Sequence, residues 1–257
     1  MEISAYILKP KNIIFALEDN KKDIKKIFYK EFKNFSPLLF AKDKFPSIEV
    51  KILKSYYPQG AEKQLIFNTV RRIVPAGGLP FDVGVVVQNV STLFSIYEAL
   101  YKDKPLIERL VSFAGSSLKE PKNLWVKIGT LLSDLIEAGD LSLRKSVKKV
   151  IFGGPMMGIS QDSLDIPILK GTGGVLLFSE EEINIKPEYN CIRCARCIKA
   201  CPMGLLPCEI YKYAKHQDIE NLKKVYPQDC IECGCCSFVC PSGINLVQYI
   251  KWAKTVV

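Results

Sequence analysis

The chain has 257 residues, 48% of them hydrophobic and 25% charged. That is enough apolar content for one large or two small cores and excludes a disordered composition. The formal charge of +9 is uneven, at +7 over residues 1–72, −2 over 73–185 and +4 over 186–257. The lysines are dispersed, with KKDIKK the densest run, so a solvated helix face is expected and a nucleic-acid partner is not. No run approaches the ~18 apolar residues of a membrane span, and no basic stretch leads into an apolar one after Met1. Neither a transmembrane segment nor a signal peptide is therefore expected.

Residues 12–19 (NIIFALED) form a mostly apolar run closed by acids, the pattern of a buried strand in a parallel sheet. Residues 21–35 set Ile24, Ile27, Phe28 and Phe32 on one helical face, with lysines opposite. A second strand is expected over 48–54 (IEVKILK). A helix follows from Gly60 to Ile73, with Leu65, Ile66, Thr69 and Val70 inward. PAGGLP (75–80) reads as a tight loop and VGVVVQ (83–88) as the clearest strand, followed by a helix from about Ser91 to Tyr101. Alternating strands and helices predict a doubly wound α/β layer.

After Pro105 the pattern changes. IERLVSFAG and LWVKIG read as short strands separated by turns such as EPKN, and LLSDLIEAGD as one short helix. VIFGGPMMG and GTGGVLLF close a small α+β module over 105–182. In GGPMMG, two glycines allow a sharp turn and two soft methionines suit packing against a neighbour. LLPCEIYKYAK, DIENLKKVY and INLVQYIKWAK read as helices of a last, mostly helical domain.

All ten cysteines lie between Cys191 and Cys240. With no export signal, such crowding argues for metal rather than a disulfide framework. Cys191, Cys194, Cys197 and Cys201 are spaced C-x2-C-x2-C-x3-C and followed by Pro202. Cys230, Cys233, Cys236 and Cys240 repeat that spacing before Pro241, each 39 residues after its counterpart. This is the ligation pattern of paired [4Fe–4S] clusters, in which the fourth cysteine of each run serves the other cluster. Three cysteines on one tight loop reach three corners of a cubane, and the fourth, beyond a helical turn, points away. One cluster is thus expected on Cys191, Cys194, Cys197 and Cys240, and the other on Cys201, Cys230, Cys233 and Cys236. A single four-thiolate zinc site would leave four identically spaced cysteines without a role. A Rieske centre needs two histidines, and His216 is the only one. Cys208 and Cys235 are surplus, and small buried packing is their expected role, with a place lining a cluster as the alternative.

These cysteine runs, with YPQGAEKQLIF (57–67), PAGGLPFDVGVVVQNVSTLFSIYEAL (75–100), PLIERLVSFAG (105–115), GTLLSDLIEAGD (129–140) and VIFGGPMMGIS (150–160), resemble the RnfC family, the C component of the Rnf-type electron transport complex. The resemblance spans most of the chain and implies three parts. These are a partial, Rossmann-like α/β domain related to the flavin subunit of respiratory complex I (1–104), a β-grasp module of the soluble-ligand-binding kind (105–185), and an α-helical two-cluster ferredoxin-type domain (186–257, with a boundary near Lys186). It further implies electron flow from NADH through FMN to two [4Fe–4S] clusters and on to membrane-bound partner subunits. The complex couples ferredoxin and NAD chemistry to ion movement, with the RnfC component peripheral on the cytoplasmic face.

The sequence departs from the family at its start. Family members carry a long N-terminal section with a glycine-rich flavin loop, and no G-x-G-x-x-G follows a strand here. Part of a flavin site is expected at Gln88, Asn89 and Thr92, and a nicotinamide side at Gly60, Glu62 and Lys63, against helix capping and turn chemistry as the plain alternative. The leading expectation is an electron-transfer component that relays electrons through two clusters. The alternatives are a complete or split NADH:FMN oxidoreductase module, a cobalamin-reductase-like relative, and a scaffold with structural clusters. No Ser-His-Asp set or catalytic carboxylate pair stands out, so hydrolysis has no support.

Overall fold

The computed structural model describes residues 1–33, 35–40, 44–183 and 187–257, so the boundary expected near Lys186 lies outside the described residues. The chain divides into two compact units, Met1–Asp103 and Lys104–Val257.

The first unit runs α1 (Glu2–Leu8), β1 (Asn12–Glu18), α2 (Lys22–Lys33), β2 (Ser47–Leu53), α3 (Glu62–Val70) and α4 (Val90–Tyr101). β1 and β2 pair in parallel, in register from Asn12 opposite Ser47 to Glu18 opposite Leu53. A helix between two parallel strands is the α/β unit that the alternation predicts. β1 is half-buried along most of its length rather than fully enclosed. Phe28 and Phe32 of α2 stack on each other at 4.2 Å, and Phe28 lies 4.2 Å from Phe15 of β1. Ile24 and Ile27, expected on the same face, are exposed instead at 45% and 61%. Among the described residues, the aromatic stack is what docks α2 on β1. On α3, Ile66 is buried and Leu65, Thr69 and Val70 are half-buried. That helix stops at Arg71, which turns left-handed, so Ile73 lies beyond it and is exposed.

The strand expected over 83–88 does not form. Val83 ends a 3-10 turn. The Arg72 guanidinium donates to the Val83 carbonyl at 2.6 Å, and the Val85 amide donates to the Pro80 carbonyl at 3.1 Å. At the start of the segment, one carbonyl and one amide that a ladder would use are thus already engaged. The alternation of half-buried and exposed side chains survives in the segment, without a partner strand.

The second unit begins with β3 (Glu108–Ala114), β4 (Lys122–Lys127), α5 (Leu132–Glu137), β5 (Lys149–Phe152), β6 (Ile159–Gln161) and β7 (Gly174–Phe178). These strands form one mixed sheet in the order β4-β3-β7-β5-β6. β3 and β7 are parallel, and the other pairs antiparallel. The alternation of β3 and β7 buries Val111, Phe113, Val175 and Leu177, and α5 adds Leu132 and Leu135 to the same core. Each such side chain contributes about 1.5–3 kcal/mol by leaving water. GGPMMG is the turn of the β5–β6 hairpin.

The rest is helical: α6 (Arg196–Ala200), α7 (Pro207–Lys215), α8 (Ile219–Lys224), α9 (Cys235–Phe238) and α10 (Leu246–Val256). Pro207 opens α7, where its missing amide costs nothing. Asp218 caps α8, its carboxylate accepting from the Asn221 amide at 3.1 Å. α10 buries Leu246, Val247, Ile250 and Ala253 at helical spacing. They share a core with Ile210, Tyr211 and Ala214 of α7, Leu222 of α8, and the side chains of Cys197 and Cys236. The cysteine loops are therefore anchored in the core that holds the helices together. Among the described residues, no helix is long and apolar enough to cross a membrane.

Candidate metal centre

The two cysteine runs fold alike. Arg193 and Ala195 in the first have φ of 55° and 59°, and their counterparts Glu232 and Gly234 in the second have 56° and 82°. The hydrogen bonds repeat with the same offset. Cys201 N–H donates to the Ile198 carbonyl and Cys240 N–H to that of Ser237, each at 3.2 Å, and Gly204 to Cys201 and Gly243 to Cys240 likewise. Left-handed residues within a turn point successive backbone amides into one concavity, a geometry suited to an anion. The duplication read from spacing is thus a duplication of backbone conformation.

The two runs cross. Cys191, Cys194 and Cys197 line one cavity, together with Cys240 of the second run. Cys230, Cys233 and Cys236 line another, together with Cys201 of the first run. Each cavity also receives a fifth thiol, Cys208 in the first and Cys235 in the second. Ser242 laces the crossing. The Tyr189 amide donates to the Ser242 carbonyl at 2.9 Å, and the Ser242 hydroxyl to the Asn190 carbonyl at 3.0 Å. The thiols differ in exposure: in the first run Cys191 and Cys194 are exposed and Cys197 is buried, and in the second Cys230 is half-buried and Cys233 and Cys236 are buried.

Backbone amides already reach sulfur, Leu205 N–H to Cys201 Sγ at 3.4 Å and Glu232 N–H to Cys230 Sγ at 3.3 Å. Burial pushes the Cys236 thiol up to about 12. Burial, and after it the neighbouring Cys208, takes Cys197 to about 11. Without metal these sulfurs are neutral thiols, and ligation must exchange their protons for metal charge. Among the described residues, no three His, Cys, Asp or Glu side chains converge on a single metal ion. Thiols spread around a cavity suit a multi-iron cubane, whose irons each take one cysteine, better than a tetrahedral zinc. The donor set fits the group the spacing predicts.

Around the second loop, the Lys254 ammonium on α10 donates to the Cys230 carbonyl at 3.1 Å and to the Glu232 carboxylate at 2.6 Å. A β-carbon on Gly234 would lie 2.7 Å from the Met156 carbonyl oxygen, so the GGPMMG turn packs directly on this loop.

The polar residues of the first unit behave locally. Asn89 is the N-cap of α4, its side chain accepting from the Ser91 amide at 2.8 Å, and the Thr92 amide bonds the Asn89 carbonyl. Gln88 is exposed beside it. Gly60 lies in open space before α3, Glu62 opens that helix, and the Lys63 ammonium donates to the Pro75 carbonyl at 3.4 Å. Gln59, missed in the sequence, is 2% exposed, and its amide nitrogen has no partner. Its Oε1 accepts from Asn68 at 3.2 Å. Its place between proline and glycine in YPQG was the one available signal.

Residues 1–98 match the Nuo51 FMN-binding domain, and residues 190–244 match the 4Fe-4S dicluster domain. The chain is 42% identical over 207 residues to the C component of the proton-translocating ferredoxin:NAD(+) oxidoreductase complex of Clostridium ljungdahlii, covering 80% of this chain and 43% of that protein. It is 40% identical over 201 residues to the C component of the Na(+)-translocating ferredoxin:NAD(+) oxidoreductase complex of Acetobacterium woodii, covering 78% and 43%. It is 37% identical over 224 residues to the C component of the ion-translocating oxidoreductase complex of Pectobacterium carotovorum, covering 87% and 28%. The chain thus spans less than half the length of these relatives. In fold it is similar to a chain of an NAD+-reducing [NiFe]-hydrogenase crystallised in the H2-reduced state, with a TM-score of 0.58 and 16% identity over 96% of this chain and 49% of that one.

Proposed function

We propose, from the premise that the chain belongs to the RnfC family of ion-translocating oxidoreductase complexes, that it is an electron-transfer component of such a complex. The observation that carries the reading is the crossed sourcing of the two cysteine cavities. Cys191, Cys194, Cys197 and Cys240 hold one [4Fe–4S] cluster, and Cys201, Cys230, Cys233 and Cys236 hold the other. Bound clusters supply one-electron storage over a range of potential set by their surroundings. The chain's own residues hold the sulfurs and direct amides at them. The exposed Cys191 and Cys194 make the first cavity the side on which an external redox partner docks.

The domain division follows the same reading: a partial flavin-type domain over 1–104, a β-grasp module over 105–185 and the ferredoxin-type domain over 186–257. The five-strand order β4-β3-β7-β5-β6, with its parallel β3–β7 pair at the centre, supports the β-grasp reading. Partners are the other redox and membrane subunits of the complex, with NADH or ferredoxin at its ends, and the location is peripheral on the cytoplasmic face of the membrane. FMN binding by residues near Gln88, Asn89, Thr92, Gly60, Glu62 and Lys63 is the second reading, favoured by the match of residues 1–98 to an FMN-binding domain.

The test is anaerobic. The purified chain, reconstituted with iron and sulfide, is expected to hold about eight irons and to bleach with dithionite. Bleaching by NADH once FMN is added would establish the second reading as well. Fewer than about four irons per chain, or an absorbance that dithionite leaves unchanged, would overturn the relay.

A further inference from the structure

The duplication extends beyond the cysteines. Lys212 and Lys215 of α7 recur 39 residues on as Lys251 and Lys254 of α10, yet the two pairs are used differently. Lys212 pairs with Glu209 at 3.7 Å and Lys215 donates to the Tyr211 hydroxyl at 3.0 Å, both within α7. On α10 both lysines turn to the second cysteine loop. The Lys254 ammonium donates to the Cys230 carbonyl at 3.1 Å and to one carboxylate oxygen of Glu232 at 2.6 Å, and the Lys251 ammonium lies 3.8 Å from the other. The counterpart of Glu232 in the first loop is Arg193, so the second loop offers a carboxylate where the first offers a guanidinium. Gln228 fixes the end of α10 on the same loop, its side-chain amide donating to the Lys254 and Val257 carbonyls at 2.9 and 3.3 Å. Glu232 itself is left-handed, with a φ of 56°, and its backbone amide donates to Cys230 Sγ at 3.3 Å.

We infer that Lys254 is a positioning residue for the second cluster: it holds Glu232 in the left-handed turn that aims an amide at Cys230 Sγ, places a positive charge beside that loop, and thereby raises the reduction potential of the cluster on Cys201, Cys230, Cys233 and Cys236. The inference rests on the ligand sets proposed above. Its direction follows from charge. Reduction adds one electron, and with it one negative charge, to the cluster and its sulfurs. A nearby cation and an amide aimed at a sulfur both stabilise the reduced form more than the oxidised one, and net charge and hydrogen bonds to the sulfurs are among the determinants of cluster potential. The Lys254 side chain is 24% exposed, so water and salt screen its charge less than that of a free surface lysine. Without it, the Glu232 carboxylate stands beside Cys230 with only the more distant Lys251 to offset it, and the turn loses its main anchor. Lys215, the same residue type at the duplicated position, bonds within its own helix and is the natural control.

The experiment uses the full chain, reconstituted anaerobically, and compares Lys254→Met, Lys254→Arg and Lys215→Met by potentiometric titration followed by electron paramagnetic resonance. Methionine keeps the length of the side chain without its charge, and arginine keeps the charge. The expected result is full iron content in all three. In Lys254→Met one cluster becomes harder to reduce, its reduced-to-oxidised ratio at fixed ambient potential falling about tenfold, or about 59 mV for a one-electron couple. The shifted signal should persist in a Cys197→Ser background, which spares the second cluster. Lys254→Arg should stay near the wild-type potential, and Lys215→Met should move neither cluster. Lys254→Gln, which keeps a donor without the charge, should show the same fall and replaces the methionine variant if that one loses iron. An unchanged potential in the neutral variants, an equal fall in Lys254→Arg, a shift confined to the first cluster, or an equal shift in Lys215→Met would each overturn the inference. Loss of iron from both neutral variants would overturn it as well, by making Lys254 a structural support alone. Wild-type chain without a cubane spectrum would overturn the ligand reading beneath it.

Discussion

Replacing Gly234 with alanine separates two costs that usually arrive together. The residue has a φ of +82°, and its missing β-carbon leaves room for the Met156 carbonyl oxygen, which would otherwise lie 2.7 Å away, with Met156 Cβ at 3.2 Å. Left-handed backbone costs a non-glycine residue about 1–2 kcal/mol, of which about 0.4–1 is offset because alanine restricts the unfolded chain. Conformation alone therefore predicts a loss of about 1 kcal/mol. The sister loop shows that such a cost is bearable, since Ala195 holds a φ of 59° at the counterpart position. The contact is a different matter. The obstructing atom is backbone, so the β5–β6 turn or the cysteine loop must move, and overpacking of this kind costs a further ~1–3 kcal/mol. Gly139 provides the control, with a φ of +81° and nothing within 4 Å of a built β-carbon. In urea unfolding of the iron-loaded chain, followed by cluster absorbance and far-ultraviolet circular dichroism, Gly139→Ala should lose about 1 kcal/mol and Gly234→Ala about 2–4. The iron lost from Gly234→Ala should come from the cluster bound by Cys230, Cys233 and Cys236. Equal losses in the two variants would refute the claim that the turn presses on the loop.

Cys197→Ser and Cys240→Ser, far apart in sequence but lining one cavity, should damage the same cluster and spare part of the other; distinct spectral losses in the two variants would break the crossed assignment. Lys254→Met removes the ammonium from both the Cys230 carbonyl and Glu232 and should lower stability by about 1–2 kcal/mol in denaturant titration. Asn89→Ala should cost about 1 kcal/mol through the lost cap of α4, read by thermal unfolding. If the same change abolished flavin binding without moving the melting temperature, Asn89 would be a ligand rather than a cap.

The grouping of the cysteines around two cavities was legible because their spacings are short and local and because a repeat of 39 residues is visible without a structure. The helices α7 and α10 were legible from their apolar spacing, and the parallel β1–β2 pair from two apolar runs separated by a helix. Residues 83–88 misled because alternation reports which side chains are sheltered and says nothing of backbone partners. Arg72, eleven residues earlier in the chain, takes the carbonyl a ladder would need. Ile24 and Ile27 misled because a helical face is wider than the aromatic stack that docks it. The short elements α1, α6, α9 and β6 carry too few residues to show a period. Cys208 read as surplus because its place beside the first cavity depends on how α7 packs, which no local spacing encodes.

On the proposed ligand sets, the crossing also bears on when a complete metal site first exists during synthesis. The chain emerges from the ribosome with Cys191, Cys194, Cys197 and Cys201 first, and neither set of four then exists. The set containing Cys201 closes when Cys236 appears, and the set containing Cys191 only with Cys240, four residues later. A nascent chain halted between the runs carries four thiols that belong to two unfinished sites. On the proposed ligand sets, a complete four-thiolate site therefore exists only after the second run has been translated.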